Sequence, residues 1–185
     1  MLEEVFARYL KVYPEDEARL DLLAKQLAAK EDLNGRTNYT GHVTGSSLIF
    51  SPDLKKVLLI YHPTFSRWQQ PGGHWDEGEI GPWRTAERET EEEVGLKIKV
   101  APLADPDDLR VPVDIDSHWV RKTPPKNEPD HHHHDFKYAV IHRSGEVKTE
   151  DEVIKEAEWV DVETIEHADL KRAIGRAQRL LRLKA

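Results

Sequence analysis

Glu89, Glu92 and Glu93 fall at spacings that would bring three carboxylates onto one flank of a helix, inside a strongly acidic stretch. From Pro71 to Leu96 the chain reads PGGHWDEGEIGPWRTAERETEEEVGL, eight acidic side chains against two arginines. That local balance of minus six is most of the formal net charge of −8. Residues three or four apart on a helix are neighbours, so Glu89 repels both Glu92 and Glu93. Two such charges about 4 Å apart interact by roughly 4 kcal/mol at an effective dielectric near 20. A hard divalent cation relieves this economically, because Mg²⁺ takes oxygen ligands, commonly carboxylates together with waters and substrate phosphates. The competing reading is a solvated acidic face, the usual fate of a charge run.

The elements that must position these groups are written into the same stretch. Pro82 after Gly81 suits the first position of a helix, and Gly95 supplies a left-handed stop. Between them Trp83, Ala86, Thr90 and Val94 recur at helical spacing and should face the core, with Glu89 and Glu93 bordering that stripe and Glu92 one step further round. Gly72 and Gly73 form a tight turn ahead of an acidic loop that ends in Glu79.

Taken together, Gly73, Glu79, Arg88-Glu89, Glu92-Glu93, Gly95 and Leu96 resemble the signature of the Nudix hydrolases. The match departs from that pattern twice. Eight residues rather than seven separate Glu79 from Arg88, and Thr90 stands in an apolar slot. The extra residue is expected to lengthen the loop around Ile80 to Pro82, since everything from Arg88 onward keeps its internal spacing. Gly41 to Ser47, VLLIYHP and WQQPGGH also resemble the opening of a bacterial Nudix subgroup of mostly unassigned substrate.

The resemblance implies an α/β/α sandwich around a mixed β-sheet, and Mg²⁺-dependent hydrolysis of a pyrophosphate bond in a nucleoside diphosphate linked to another group. Mn²⁺ is the expected substitute ion. It also implies that Glu89, Glu92 and Glu93 are the metal ligands, joined by the Gly72 carbonyl, and that Arg88 fixes the loop by pairing with an acid such as Glu79. Many members of the family add a glutamate from far along the chain. Here Glu150, Glu152, Glu156 and Glu158 are on offer, and Glu152 is favoured because it precedes the strand to Trp159. Arg36, His134 and Tyr138 are assigned to the substrate, and Trp68, Trp75 and Tyr138 are candidates to stack on a base. The alternative is a Nudix-fold module that holds a nucleotide without cleaving it; modules of that kind usually lose signature carboxylates.

The 185 residues suffice for one domain with its own core. It is expected to span 1–185, with a helical extension over 1–30 and the signature loop and helix over 71–96. Absence of cysteine removes disulfides, thiolate metal sites and a thiol nucleophile. The first residues lack the basic-then-apolar layout of a secretion signal, and no apolar run approaches the roughly eighteen residues that span a bilayer. A cytoplasmic protein is expected. The negative charge argues against duplex nucleic acid and in favour of a small phosphorylated ligand.

Along the chain, Leu2, Val5, Phe6, Tyr9, Leu10 and Tyr13 predict a helix stopped before Pro14, and Leu20, Leu23 and Leu27 a second to about Lys30. This pair packs across the core or across a partner subunit, which leaves a homodimer open. Val43 to Phe50 and Lys56 to His62 read as a hairpin turning at Ser51-Pro52-Asp53. Leu96, Ile98 and Val100 predict a strand, and so do Leu109 to Ile115, broken or at an edge because of Pro112. Glu158 to Val162 predict a strand, and a final helix starts near His167.

HHHHDFKYAVIH follows a Pro-rich loop. Four histidines suggest an expression tag, but these lie internally and run into an apolar strand. In that strand His132, His134, Phe136, Tyr138 and Val140 share one face, His131, His133 and Asp135 the other. The histidines could form a wall facing phosphate or base, a transition-metal site using imidazole nitrogen, or a partly exposed strand start without special chemistry. At most two or three of them converge.

Overall fold

The computed structural model describes residues 1–63, 66–100, 111–122, 128–149 and 156–183. Its helices are α1 (Leu2–Val12), α2 (Asp21–Ala28), α3 (Pro82–Val94) and α4 (Ala168–Leu183). The strands are β1 (Gly41–Phe50), β2 (Lys56–His62), β3 (Arg67–Gln69), β4 (Gly72–His74), β5 (Asp114–Val120), β6 (His131–Ile141) and β7 (Ala157–Asp161). They form a mixed sheet of order β3-β2-β1-β6-β5, with β4 paired to β1 and β7 to β2. The β1–β6 ladder is parallel, running from Gly41 opposite His132 to Phe50 opposite Ile141, while the other pairs are antiparallel.

Helices cover both faces. One core joins α1 and α2 (Val5, Phe6, Tyr9, Leu23, Leu27) and Ala86 of α3 to Val43, Ile115, Phe136 and Tyr138 of the sheet. Another sets α4 (Leu170, Ala173, Ile174, Ala177, Leu181) against Leu48, Phe50, Leu59 and Ala139. Successive residues of a strand point to opposite faces. Odd-numbered residues of β1 therefore face α3 and even-numbered ones face the α4 side. All ten residues of β1 are buried, so its hydroxyls need partners. Thr44 and Ser46 donate to Asp135 at 3.1 and 2.8 Å, and Ser47 donates to the Ala86 carbonyl at 3.1 Å.

The hairpin forms as its turn residues predict: the Ser51 amide donates to the Lys56 carbonyl at 2.9 Å, and Leu54 takes the left-handed conformation. The strand expected at Leu96 to Val100 does not form. Leu96 and Ile98 pack beside Val94 and Ile49 in a third cluster, and the Val100 amide donates to the Glu87 carboxylate at 2.9 Å, so the alternation records burial of an extended segment without a ladder. Of the run from Leu109, the first residues lie outside those described; β5 begins two residues past Pro112 and lies at the sheet edge. The three-residue strands β3 and β4 are too short to show alternation in the sequence. No helix of the described residues is long and apolar enough to cross a membrane.

The N-terminal pair turns its apolar stripes onto this chain's own core, and a buried ionic cluster fastens it. Asp16 accepts from Tyr9, Arg19 and Arg176, the last at 2.6 Å from Arg176 Nη1. Arg176 Nη1 also donates to Asp114 of β5 at 2.8 Å, and Arg172 holds Asp114 through two bonds of 3.0 Å. Burial disfavours the Asp16 charge, but hydrogen bonds from Arg176, Arg19 and Tyr9 outweigh it and hold the carboxyl below its ordinary range. A depressed carboxyl contributes stability that is present above its unfolded value, near 4, and is lost as pH falls towards the folded value. We expect Asp16→Asn to cost about 1–3 kcal/mol at pH 7, since it removes a buried charged partner of Arg176, which keeps Asp114 and Glu15. The same variant should lose less stability than the wild type when urea unfolding is repeated at acid pH; an unchanged acid slope would show that Asp16 is not the group responsible.

Candidate functional site

Local rules fix α3 at both ends. Gly81 sits at φ 151° with the Trp83 ring packed where a Cβ would be, Pro82 is the first helical residue, and Gly95 closes the helix at φ 68° with its amide on the Glu91 carbonyl. Thr85, Ala86, Thr90 and Val94 form the buried face. The Thr90 hydroxyl donates to the Ala86 carbonyl one turn back at 2.7 Å, which explains how a polar residue occupies the apolar slot.

The loop before α3 is locked around Glu79. Its carboxylate accepts from the Asp76 amide at 3.0 Å and from the Thr85 hydroxyl at 2.7 Å, and its carbonyl accepts from the Trp75 indole at 3.1 Å. The extra residue is absorbed at the Ile80-Gly81 corner, where Ile80 is exposed, so Glu79 still reaches Arg88.

Arg88 is the hub. Its Nε donates to Glu79 at 2.9 Å, Nη1 donates to Glu89 and Glu92 at 2.8 and 2.9 Å, and Nη2 donates to the His74 carbonyl at 2.9 Å. Burial works against the guanidinium charge, yet Glu79 and Glu89 outweigh it and raise its pKa above the ordinary arginine value. Glu93 stands apart from this fork. Only 6% exposed, it accepts the Gly72 amide at 2.9 Å and so ties α3 to β4. On Gly73 a Cβ would fall on the Glu89 carboxylate, so the Gly-Gly strand lies directly against the acidic flank.

Burial raises the Glu89 pKa; Arg88 opposes this, and Glu92 and Asp76 add to it. One arginine thus serves four carboxylates, counting Asp76 at 3.3 Å. The donor set is oxygen throughout, which suits a hard divalent ion, and only glycine at residue 73 lets the Glu89 carboxylate lie this close to the β4 backbone. Glu89, Glu92, Glu93 and the backbone of Gly72 are the groups that could hold such an ion.

The other residues singled out by sequence lie elsewhere. Arg36 is at the surface, 3.8 Å from Glu128. His134 is fully buried between Gln26 and Ser117, to which its ring nitrogens bond at 2.7 and 2.8 Å, and Tyr138 is a core residue. Both are held in the interior, away from any exposed binding face. Trp75 is likewise core, and Trp68 packs against the α4 cluster. Glu150 and Glu152 lie outside the described residues; Glu156 and Glu158 are exposed.

Sequence reasoning missed a polar wall beside Gly72. Asp135 accepts from Gln70 at 3.0 Å as well as from Thr44 and Ser46, and buried Lys137 lies 3.2 Å from it, with Asp116 and Asp114 at 3.7 and 3.9 Å. The signal was available: Asp135 and Lys137 fall on one face of the strand, at the point where it turns apolar. The sequence also did not show that His42 of β1 and His74 of β4 join His131 and His133.

The family model described as NUDIX domain matches residues 42–182. Among solved structures, the chain is similar to a NUDIX family hydrolase from Clostridium perfringens, with 25% identity, a TM-score of 0.57, and 78% of this chain and 98% of that one covered. A C. elegans Ap4A hydrolase in a binary complex aligns at 16% identity and TM-score 0.53 over 76% and 97% of the two chains. A MutT NUDIX hydrolase from Burkholderia pseudomallei aligns at 21% identity and TM-score 0.51 over 74% and 97%. No curated protein matches.

Two glycines separate scaffold from site. A Cβ on Gly45 would strike the Pro82 carbonyl, which is backbone, whereas one on Gly73 meets the movable end of Glu89. Gly45→Ala should cost about 1–3 kcal/mol, the range for forced overpacking, and Gly73→Ala less than about 1 kcal/mol. Urea unfolding of the two variants checks this, and equal losses would contradict it.

Proposed function

Because the chain belongs to the NUDIX family, we propose that it is a Mg²⁺-dependent hydrolase that cleaves a pyrophosphate bond in a nucleoside diphosphate linked to another group. The observation that carries the reading is the acidic flank of α3 pressed against Gly72-Gly73, with Glu93 bonded to the Gly72 amide and Glu89 filling the space over Gly73. When bound, Mg²⁺ would neutralise pyrophosphate charge and lower the pKa of a water.

The protein's own share is positioning, which with electrostatics accounts for most of phosphoryl-transfer catalysis. Glu89, Glu92 and Glu93 would hold the ion, with the Gly72 carbonyl as a further ligand. The Gly72 amide orients Glu93 by its hydrogen bond. Arg88 is a positioning residue: its fork sets the directions of Glu89 and Glu92 while fixing the loop through Glu79 and the His74 carbonyl. Mn²⁺ serves as a substitute because it accepts the same oxygen donors. We assign Glu152 as the distal acid and Arg36, exposed at the surface, as a contact for substrate phosphate.

The substrate is a small phosphorylated molecule, in keeping with a net charge of −8 that disfavours duplex nucleic acid. We place the enzyme in the cytoplasm as a single-domain protein, in keeping with the absence of cysteine. A module that binds without cleaving would have no need of Glu89, Glu92 and Glu93 together, and all three are present.

A screen of nucleoside triphosphates, nucleotide sugars, ADP-ribose and dinucleoside polyphosphates with Mg²⁺ or Mn²⁺, with product identification, tests the reading. We expect Glu93→Gln to lower turnover by about 100-fold or more, the scale of losing one transition-state electrostatic contact, with the protein still folded by circular dichroism. Glu152→Gln should lower kcat as well. Undiminished Mg²⁺-dependent release of product by the Glu93 variant would exclude the assignment.

A further inference from the structure

We propose that His42, His131 and His133 form a transition-metal site that takes Zn²⁺ through imidazole nitrogen, distinct from the carboxylate site on α3. Among the described residues, these three offer ligand atoms that all lie within 4.8 Å of one another. His42 comes from β1, His131 and His133 from the start of β6, and the pairing of His42 with His133 across the parallel ladder puts all three on one face of the sheet. Three nitrogens around a tetrahedral Zn²⁺ are spaced roughly 3.4 Å apart for bonds of about 2.0–2.1 Å. The Nε2 atoms of His131 and His133 are already 3.0 Å apart.

The hydrogen bonds specify which nitrogen is bare. His42 Nδ1 lies 3.1 Å from the Asn38 carbonyl and His131 Nδ1 lies 2.7 Å from the Pro129 carbonyl. A carbonyl only accepts, so in each neutral ring Nδ1 carries the proton and Nε2 keeps the lone pair; that of His131 accepts from His133 Nε2 in the free protein, a bond that a metal ion would replace once His133 carries its proton on Nδ1. This is the orientation of metal-bound histidines, whose second N–H is held by a carbonyl or carboxylate. His42 is 0% exposed, and its Nε2 has no hydrogen-bond partner among the described residues. A buried acceptor left open is unfavourable, and a bound cation would satisfy it.

The surroundings favour a borderline metal. The rings of His74 and His118 flank His133 with centroids 4.9 and 5.7 Å away, and His118 Nδ1 is in turn 3.1 Å from Asp116. Imidazole suits Zn²⁺, Cu²⁺ and Ni²⁺, whereas Mg²⁺ prefers oxygen. His132 lies on the opposite face against Trp119, with 4.7 Å between centroids, and serves as the internal control.

The test uses full-length protein purified without an affinity tag and stripped with a chelator. Zn²⁺ alone is titrated in competition with a chromophoric chelator, and Co²⁺ is used to read the ligand field. We expect one equivalent bound and a tetrahedral, nitrogen-ligated Co²⁺ spectrum. His42→Ala and His133→Ala should each weaken Zn²⁺ by roughly 100-fold or more, given that losing even an outer partner of a ligand costs about 10- to 100-fold. His132→Ala, and the pair Glu92→Gln with Glu93→Gln, should bind as the wild type does. Binding that survives in His42→Ala and His133→Ala, or that disappears with the glutamates, overturns the site. Should the alanine variants fail to fold, the wild type decides: no stoichiometric Zn²⁺ and no nitrogen-ligated Co²⁺ spectrum also overturn it.

Discussion

One guanidinium sets the geometry of the acidic flank. Glu89 and Glu92 both accept from Nη1 of Arg88, Glu79 accepts from Nε, and the His74 carbonyl accepts from Nη2. Without that fork, neighbouring carboxylates would repel by roughly 4 kcal/mol per close pair at an effective dielectric near 20. The same fork joins three pieces of chain that are otherwise separate: the acidic loop, the last residue of β4 and the middle of α3. A lysine could balance the charge but could not hold three directions at once, because its ammonium is a point charge without a planar set of donors.

That arrangement depends on how closely β1, β4 and α3 approach one another. Gly45 lets the Pro82 carbonyl sit over β1, Gly72 lies against Ser46, and Gly73 leaves room for Glu89. Close approach of this kind needs a rigid sheet beneath it. The buried cluster of Asp16, Arg176, Asp114 and Arg172 supports the sheet from the edge, linking the turn after α1 and the helix α4 to β5. The flank itself carries more negative charge than Arg88 alone balances.

How much of this was legible follows from the range of each interaction. The caps of α3, the hairpin at Ser51 and the amphipathic stripes of α1, α2 and α4 depend on neighbours within a few residues, and periodicity and turn chemistry encode them directly. The pairing of Glu79 with Arg88 was also readable, since both belong to one signature. What escaped was set by the parallel pairing of β1 with β6, which joins residues about ninety positions apart, such as Thr44 with Asp135. No local pattern reveals which strand lies beside which, so His134 and Tyr138 looked available for a ligand when β1 and the N-terminal helices in fact enclose them. The run Leu96, Ile98, Val100 misled in the opposite sense, because alternation reports burial on one side and does not report a hydrogen-bonded partner.

β4 brings two kinds of donor within three residues of one another. Gly72 and Gly73 face carboxylates, and His74 packs its ring on His42 and His133 while its carbonyl holds Arg88. Affinities of mixed nitrogen and oxygen sites favour Zn²⁺ and Cu²⁺ over the early divalent ions, so the carboxylate site proposed above for Mg²⁺ would be exposed to capture by the tighter-binding metals. Segregating the donors answers this in two ways. The oxygen-only flank gives a borderline ion no imidazole to prefer, and the nitrogen trio a short distance along the sheet is the better ligand set for such an ion. The Zn²⁺ site inferred above therefore bears on the proposed carboxylate site: held on His42, His131 and His133, a transition metal would pin β1 to β6 beside β4, which carries Gly72 and Gly73 against the glutamates.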